Sequence, residues 1–246
     1  MSAILLSGVV VLITHALEAI TGFGCAVLAM PFVSSLLGIK MAVQVITILA
    51  WLLALYLAIK YWRSINWRQY AIITALMIVG LPIGMALFRS QDTGILSLIL
   101  ALFITAASIS QLYRLAAKRE EGSLPPGWRA LPYYLLLIVG GVVHGIFSTG
   151  GPVVVLYTTK ALKDKGEFRA TLCLLWVTLN TLIIARYIAE GSLVGPTLKT
   201  TGLLVPFVAI GVYFGEKIHD KIDSRKFSLV VFSMLLLTGI FMLITR

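Results

Sequence analysis

Apolar residues run through this chain in blocks long enough to cross a bilayer, with short polar stretches between them. That alternation predicts an all-α protein. The predicted spans are 3–20, 41–59, 70–88, 94–113, 131–147, 170–187, 198–214 and 227–244. Two of them stop at glycine-rich breaks, Thr21-Gly22-Phe23-Gly24 and Ser148-Thr149-Gly150-Gly151-Pro152. A shorter apolar stretch follows each break: Cys25–Leu37, with Pro31 inside, and Pro152–Leu162. The second has 11 residues, about 16 Å of helix, against the roughly 30 Å of a hydrocarbon core. It is too short to cross, so the spacing predicts a helical hairpin with its turn buried in the membrane. Glycine permits a tight reversal with positive φ and close backbone approach. Pro152 suits the first turn of the returning helix, where its missing N–H costs nothing. Non-helical backbone at this depth is tolerated only when packed in protein or lining a cavity.

The pattern runs twice. Gly22 and Gly150 are 128 apart, as are Ser64 and Ser192; Gly80–Gly211, Gly84–Gly215 and Asp92–Asp223 follow at 131, and His15–His144 at 129. Between the halves lies a charged stretch, Arg114–Arg129, with Gly122, Pro125, Pro126 and Gly127. The expected organisation is a first membrane repeat (1–115), a cytoplasmic linker (116–130) and a second repeat (131–246). Each half carries a Gly-broken hairpin plus three transmembrane helices. That is an odd number of crossings, so the second half is expected to be inverted, as in many secondary transporters.

Composition agrees. The chain is 59% hydrophobic and only 12% charged, which excludes an ordinary water-soluble fold. The net charge of +10 would suggest nucleic acid in a soluble protein; here the basic residues lie between spans and report topology instead. Of the 20 Lys and Arg, 15 fall on one side and 5 on the other if the hairpins are real. The rich side is expected to be cytoplasmic, making a multi-pass protein of the cell (inner) membrane with both termini extracytoplasmic. The two hairpins then enter from opposite faces. Residues 2–17 lack a secretory-signal pattern, so the first segment is read as a retained helix. Tyr61, Trp62, Trp67 and Trp128 are expected in an interfacial belt. Cys25 and Cys173 have no metal-ligand spacing, and no cofactor is expected.

Three features together resemble the TauE/SafE-type sulfite exporters, the transmembrane sulfur-compound transport proteins. They are Gly22-Phe23-Gly24-Cys25-Ala26-Val27-Leu28-Ala29-Met30-Pro31, the Ser148–Pro152 equivalent and the duplicated layout. The likeness covers essentially the whole chain. It implies a secondary transporter for sulfite, sulfonates or other small, often sulfur-containing anions.

The residues themselves point to an anion. Helices starting near Cys25 and Val153 would present their N-termini at the tips, each with unsatisfied N–H groups and about half a unit of positive charge. Thr21, Ser148 and Thr149 add hydroxyls. The expected substrate site is Thr21, Gly22, Phe23, Gly24, Cys25, Ser148, Thr149, Gly150, Gly151, Pro152 and Asn180. Asn180 is polar at mid-span where its repeat partner is Leu52. No Lys or Arg is expected at the tips, so dipoles and hydroxyls should do the recognition.

His15 and Glu18, three apart on one helical face, and His144 are candidates for proton coupling or gating. A structural His15–Glu18 pair is the plain alternative. Gln44 and Thr47 are secondary polar candidates, Arg186 is expected to snorkel, and Cys25 reads as a small core residue. The favoured function is secondary active export of a small anion, with protons as the candidate coupling ion. An anion channel, or a transporter of a different small metabolite with the same fold, is the alternative. The chain shows no paired acids, metal cluster or Ser/His dyad at one depth, which argues against an enzyme.

Overall fold

The computed structural model describes residues 2–90, 92–117 and 123–218, with scattered helical positions between 229 and 244. Asp223 and half of the predicted 227–244 span lie outside the described residues. The described part is helical throughout: α1 Ser2–Thr21, α2 Cys25–Leu37, α3 Ile39–Lys60, α4 Trp67–Ser90, α5 Thr93–Ala116, α6 Leu131–Phe147, α7 Gly151–Ala161, α8 Lys165–Ala189 and α9 Gly195–Ile218. Short 3-10 turns occupy Trp62–Ser64 and Gly127–Ala130.

Seven of these helices are long and apolar enough to cross a membrane. The other two, α2 and α7, have 13 and 11 residues, about 20 and 16 Å of helix, and are the short arms that follow the breaks. Large apolar side chains such as Leu5, Val9, Ile13, Val79, Ile83, Leu102 and Ile109 are exposed on the outside. A bilayer accepts them where water would not. This is a multi-pass membrane protein.

Several helices begin earlier than the apolar blocks alone predict, because side-chain caps extend them. Asp164 accepts from the Glu167 N–H at 2.8 Å and starts α8, and the Asn66 side chain accepts from the Gln69 N–H at 3.1 Å at the start of α4. Arg169, assigned by charge pattern to a loop end, is therefore part of α8.

Packing is organised by close backbone approach. The most extensive helix pairs are α4 with α6 and α1 with α9, and α3 crosses α8 between them. Gly80 and Gly84 lie on the α6 backbone at Ile138 and Val142; Gly211 and Gly215 lie on the α1 backbone at Leu12 and Ala16. The two glycine pairs that the 131-residue shift connects thus do the same work, letting small residues bring helices together. A side chain at Gly84 would run into the Val142 carbonyl, whereas Gly202 on α9 has open space. Gly84→Leu is expected to destabilise the detergent-solubilised protein by about 1–3 kcal/mol, seen as a lower thermal midpoint. Gly202→Leu should leave that midpoint unchanged.

Candidate functional site

The first break is a turn built by two left-handed glycines, Gly22 at φ +83° and Gly24 at φ +108°. The Thr21 hydroxyl is spent inside the turn, 2.9 Å from the Leu17 carbonyl and 2.7 Å from the Phe23 carbonyl. Gly24 precedes α2 and offers no side-chain cap. Glu18 fills that role from the preceding helix: its Oε2 accepts from the Cys25 N–H at 2.8 Å. Glu18 is only 3% exposed, so the α2 N-terminus already holds one of the chain's own carboxylates.

The second break uses a different device from the one expected. Its left-handed residue is Ser148, at φ 56°, while Gly150 is ordinary right-handed backbone at φ −63°. Gly150 is needed for space, since a Cβ there would lie 2.7 Å from the Gly140 carbonyl and 2.9 Å from His144 Cβ. Ser148 is held by its N–H donating to the His144 carbonyl at 2.7 Å and by a 2.5 Å bond between its hydroxyl and that of Thr47. Pro152 falls in the first turn of α7, as its missing N–H allows.

The two breaks meet. A Cβ on Gly151 would stand 3.4 Å from the Phe23 ring and 4.0 Å from the Gly24 nitrogen. Trp176 of α8 ties them together. Its Nε1–H donates to the Gly22 carbonyl at 3.0 Å, and its indole stacks on His144 with centroids 5.2 Å apart. His144 Nε2 in turn bonds Asn180 Oδ1 at 3.0 Å.

Between the tips is a small cavity of about 20 Å³. From the predicted substrate set it is lined by Gly24, Cys25, Ser148, Thr149, Gly151, Pro152 and Asn180. Thr21, Gly22, Phe23 and Gly150 are not in its wall; they form the turns behind it. Glu18 and His144 line it and His15 does not. His15 Nδ1 bonds the Val11 carbonyl at 2.9 Å, its Nε2 has no partner, and the His15–Glu18 pair is not formed. Thr149 is 2% exposed, lines the cavity, and its hydroxyl has no hydrogen-bond partner. His144 Nδ1 is likewise unpartnered.

One expectation is corrected outright. A cation does sit at the first tip: Arg169 is 5% exposed, donates from Nη1 to the Ala19 carbonyl at 2.9 Å, and stacks 4.0 Å from the Tyr61 ring. It neutralises the carbonyl end of α1 and is not among the residues that line the cavity. Tyr61, expected in the interfacial belt, also has partners within the protein. It is half-buried, bonded to Glu216 and stacked on Arg169, whereas Trp62, Trp67 and Trp128 are exposed as expected. Both Arg169 and Trp176 were missed by sequence reasoning. The signal was present: Arg169, Cys173, Trp176 and Asn180 recur at the spacing of one helical face.

The remaining candidates sit nearby. Thr47 braces Ser148, and Gln44 bonds the Ser192 carbonyl and the Thr197 hydroxyl, each at 3.3 Å. Arg186 does not snorkel freely; it donates to Glu190 at 2.8 Å.

Broken helices whose ends enclose a small, partly polar cavity inside a bundle of spanning helices define a polytopic membrane transport protein. The chain matches the family model described as Sulfite exporter TauE/SafE over residues 7–242, and it belongs to that family. It is similar to the probable inner membrane transporter protein TsaS of Comamonas testosteroni, 24% identical over 179 residues that make up 72% of each chain. No solved structure gives a significant match. The family and this relative are transporters of the membrane, and the chain is not an enzyme.

Proposed function

We propose that this protein is a secondary active exporter of a small oxyanion, sulfite or a short organosulfonate, bound between the two broken-helix tips. The observation that carries the reading is the buried, unpartnered Thr149 hydroxyl, which lines the tip cavity in the turn just before α7. A buried hydroxyl without a partner costs stability unless a ligand completes it. The N-terminus of α7 lies beside it, and the Asn180 amide is in the same wall. The matched glycine contacts of α4–α6 and α1–α9 support two related halves that move against each other. The basic-residue count supports inversion of those halves, with both termini outside.

Glu18 is the best-placed coupling group. A carboxylate in the wall of an anion cavity repels the substrate until it takes up a proton. Anion and proton would then bind together. His15, away from the cavity, is a positioning residue of α1 in this reading.

The test is calorimetric titration of the purified protein with sulfite, sulfate, thiosulfate, sulfoacetate and taurine, repeated on Thr149→Val. Valine is nearly isosteric, so the ligand-free thermal midpoint should hold or rise while anion affinity falls about tenfold, the worth of one hydrogen bond to a charged group. Unchanged affinity would remove Thr149 from the site. Saturable flux into liposomes that follows an imposed gradient supports a carrier; ohmic current supports a channel.

A further inference from the structure

A second cavity, of about 170 Å³, opens at one end of the bundle, and nothing in the transport reading uses it. Its wall brings Lys40 from α3, Arg89 from α4 and Arg186 from α8 together with a single carboxylate, Glu190. Three cations against one anion leave a net charge of +2. The carboxylate is shared: Glu190 Oε1 lies 2.8 Å from Arg186 Nε and 3.5 Å from Arg89 Nη1, so two guanidiniums converge on one oxygen. That is the geometry with which arginine takes up an oxyanion. Phe88, Met85 and Tyr187 supply an apolar flank.

The cavity floor gives its role. It reaches Gly145, which adjoins His144 on α6 and stands one turn before Ser148. Tyr187 lines this cavity and lies near Thr47, whose hydroxyl bonds that of Ser148 in the wall of the tip cavity. An anion at the guanidinium pair is therefore one barrier away from the tip site.

We infer that this cavity is an outer oxyanion site on the transport path, in which Glu190 stands in for the substrate and is displaced by it. The inference rests on the anion reading of the tip cavity for its place in transport, but not for its binding chemistry. Two substitutions test it with opposite signs. Glu190→Gln removes the resident competitor and is expected to tighten sulfite binding at this site about threefold, the scale of a half-exposed ion pair. Arg186→Gln is expected to abolish binding there. Arg89→Gln, at a more exposed position, is expected to weaken it about threefold and serves if Arg186→Gln fails to fold.

The experiment is equilibrium dialysis of the full chain in detergent with radiolabelled sulfite. Two equivalents should bind to the unaltered protein. Thr149→Val should weaken one and Arg186→Gln should remove the other. If only Thr149→Val has an effect, the outer site is wrong and the tip site stands; if only Arg186→Gln does, the reverse holds. Unchanged or weaker binding in Glu190→Gln overturns the displacement. Displacement of the outer equivalent by phosphatidylglycerol but not by sulfate would make the cavity a lipid-headgroup site and overturn its place on the path.

Discussion

Gly22→Ala is expected to abolish sulfite binding while leaving a protein that inserts and retains its helical signal. Two independent costs fall on this one methyl group. At φ +83° an L-residue sits in the left-handed region, a cost of about 1–2 kcal/mol. The new Cβ would also lie 2.8 Å from Arg169 Cα, and backbone cannot step aside as a side-chain end can. Relieving that contact moves the Gly22 carbonyl off Trp176 Nε1, and Trp176 carries the link to His144 and Asn180. The whole wall of the tip cavity is thus disturbed by a change outside it. Gly24→Ala provides the graded control. It has the positive φ, but its nearest neighbour is Leu28 Cδ1 at 3.9 Å, so only the strain remains. Binding should fall in the order unaltered, Gly24→Ala, Gly22→Ala. Gly150→Val should resemble Gly22→Ala, for its clash is with the Gly140 carbonyl. Equal binding by Gly22→Ala and the unaltered protein would mean that the first tip has no part in the site.

Glu18→Gln is expected to uncouple anion binding from pH. In the unaltered protein the carboxylate caps α2 and lines the cavity, so its charge opposes a bound anion. Proton uptake removes that opposition. Sulfite affinity should therefore rise as pH falls, approaching about tenfold per pH unit where one proton is taken up with each anion. Glutamine keeps the size and still offers an oxygen to the Cys25 N–H. The variant should bind at high pH as the unaltered protein does at low pH, with a flat profile between. Flux driven by a pH gradient should disappear while exchange of labelled for unlabelled anion persists. The other titratable groups close to Glu18 or in the cavity wall are Cys25 on α2, His144 on α6 and Cys173 on α8. If the pH profile survives in Glu18→Gln, His144→Asn is the variant that should flatten it, and Glu18 is then a cap alone. Sulfate, which does not itself change protonation over the neutral range, separates substrate titration from protein titration.

Much of this was legible in the chain. Helix number and arm length follow from apolar block length, because a bilayer of fixed thickness makes length meaningful. The break positions follow from glycine and proline, since few other residues allow reversal at depth. Gly24, Cys25, Ser148, Thr149, Gly151 and Pro152 were singled out this way, and Asn180 as a polar residue at mid-span; all of them line one cavity. The turn chemistry at Ser148 was not legible. A serine holds the left-handed position that ends α6, and its hydroxyl is met by Thr47, 101 residues away. Arg169 escaped for a related reason: a basic residue close to a predicted loop reads as topology, and nothing local says that an α1 carbonyl and the Tyr61 ring will receive it.

The sequence by itself determined that the chain crosses a membrane repeatedly, that two of its apolar segments are broken at glycine, and that its polar interior is sparse. These are properties of pattern, and pattern is set by the medium and by backbone sterics. Only the tertiary structure decided which polar groups have partners. Glu18 was free to pair with His15 on its own helix and instead caps the next one; Arg186 and Arg89 were separate charges and instead share Glu190. Hydrogen bonds act over about 3 Å, and in this fold the decisive ones join residues far apart in the chain. Whether a buried group is spent or available for a substrate is therefore fixed only once the helices have packed.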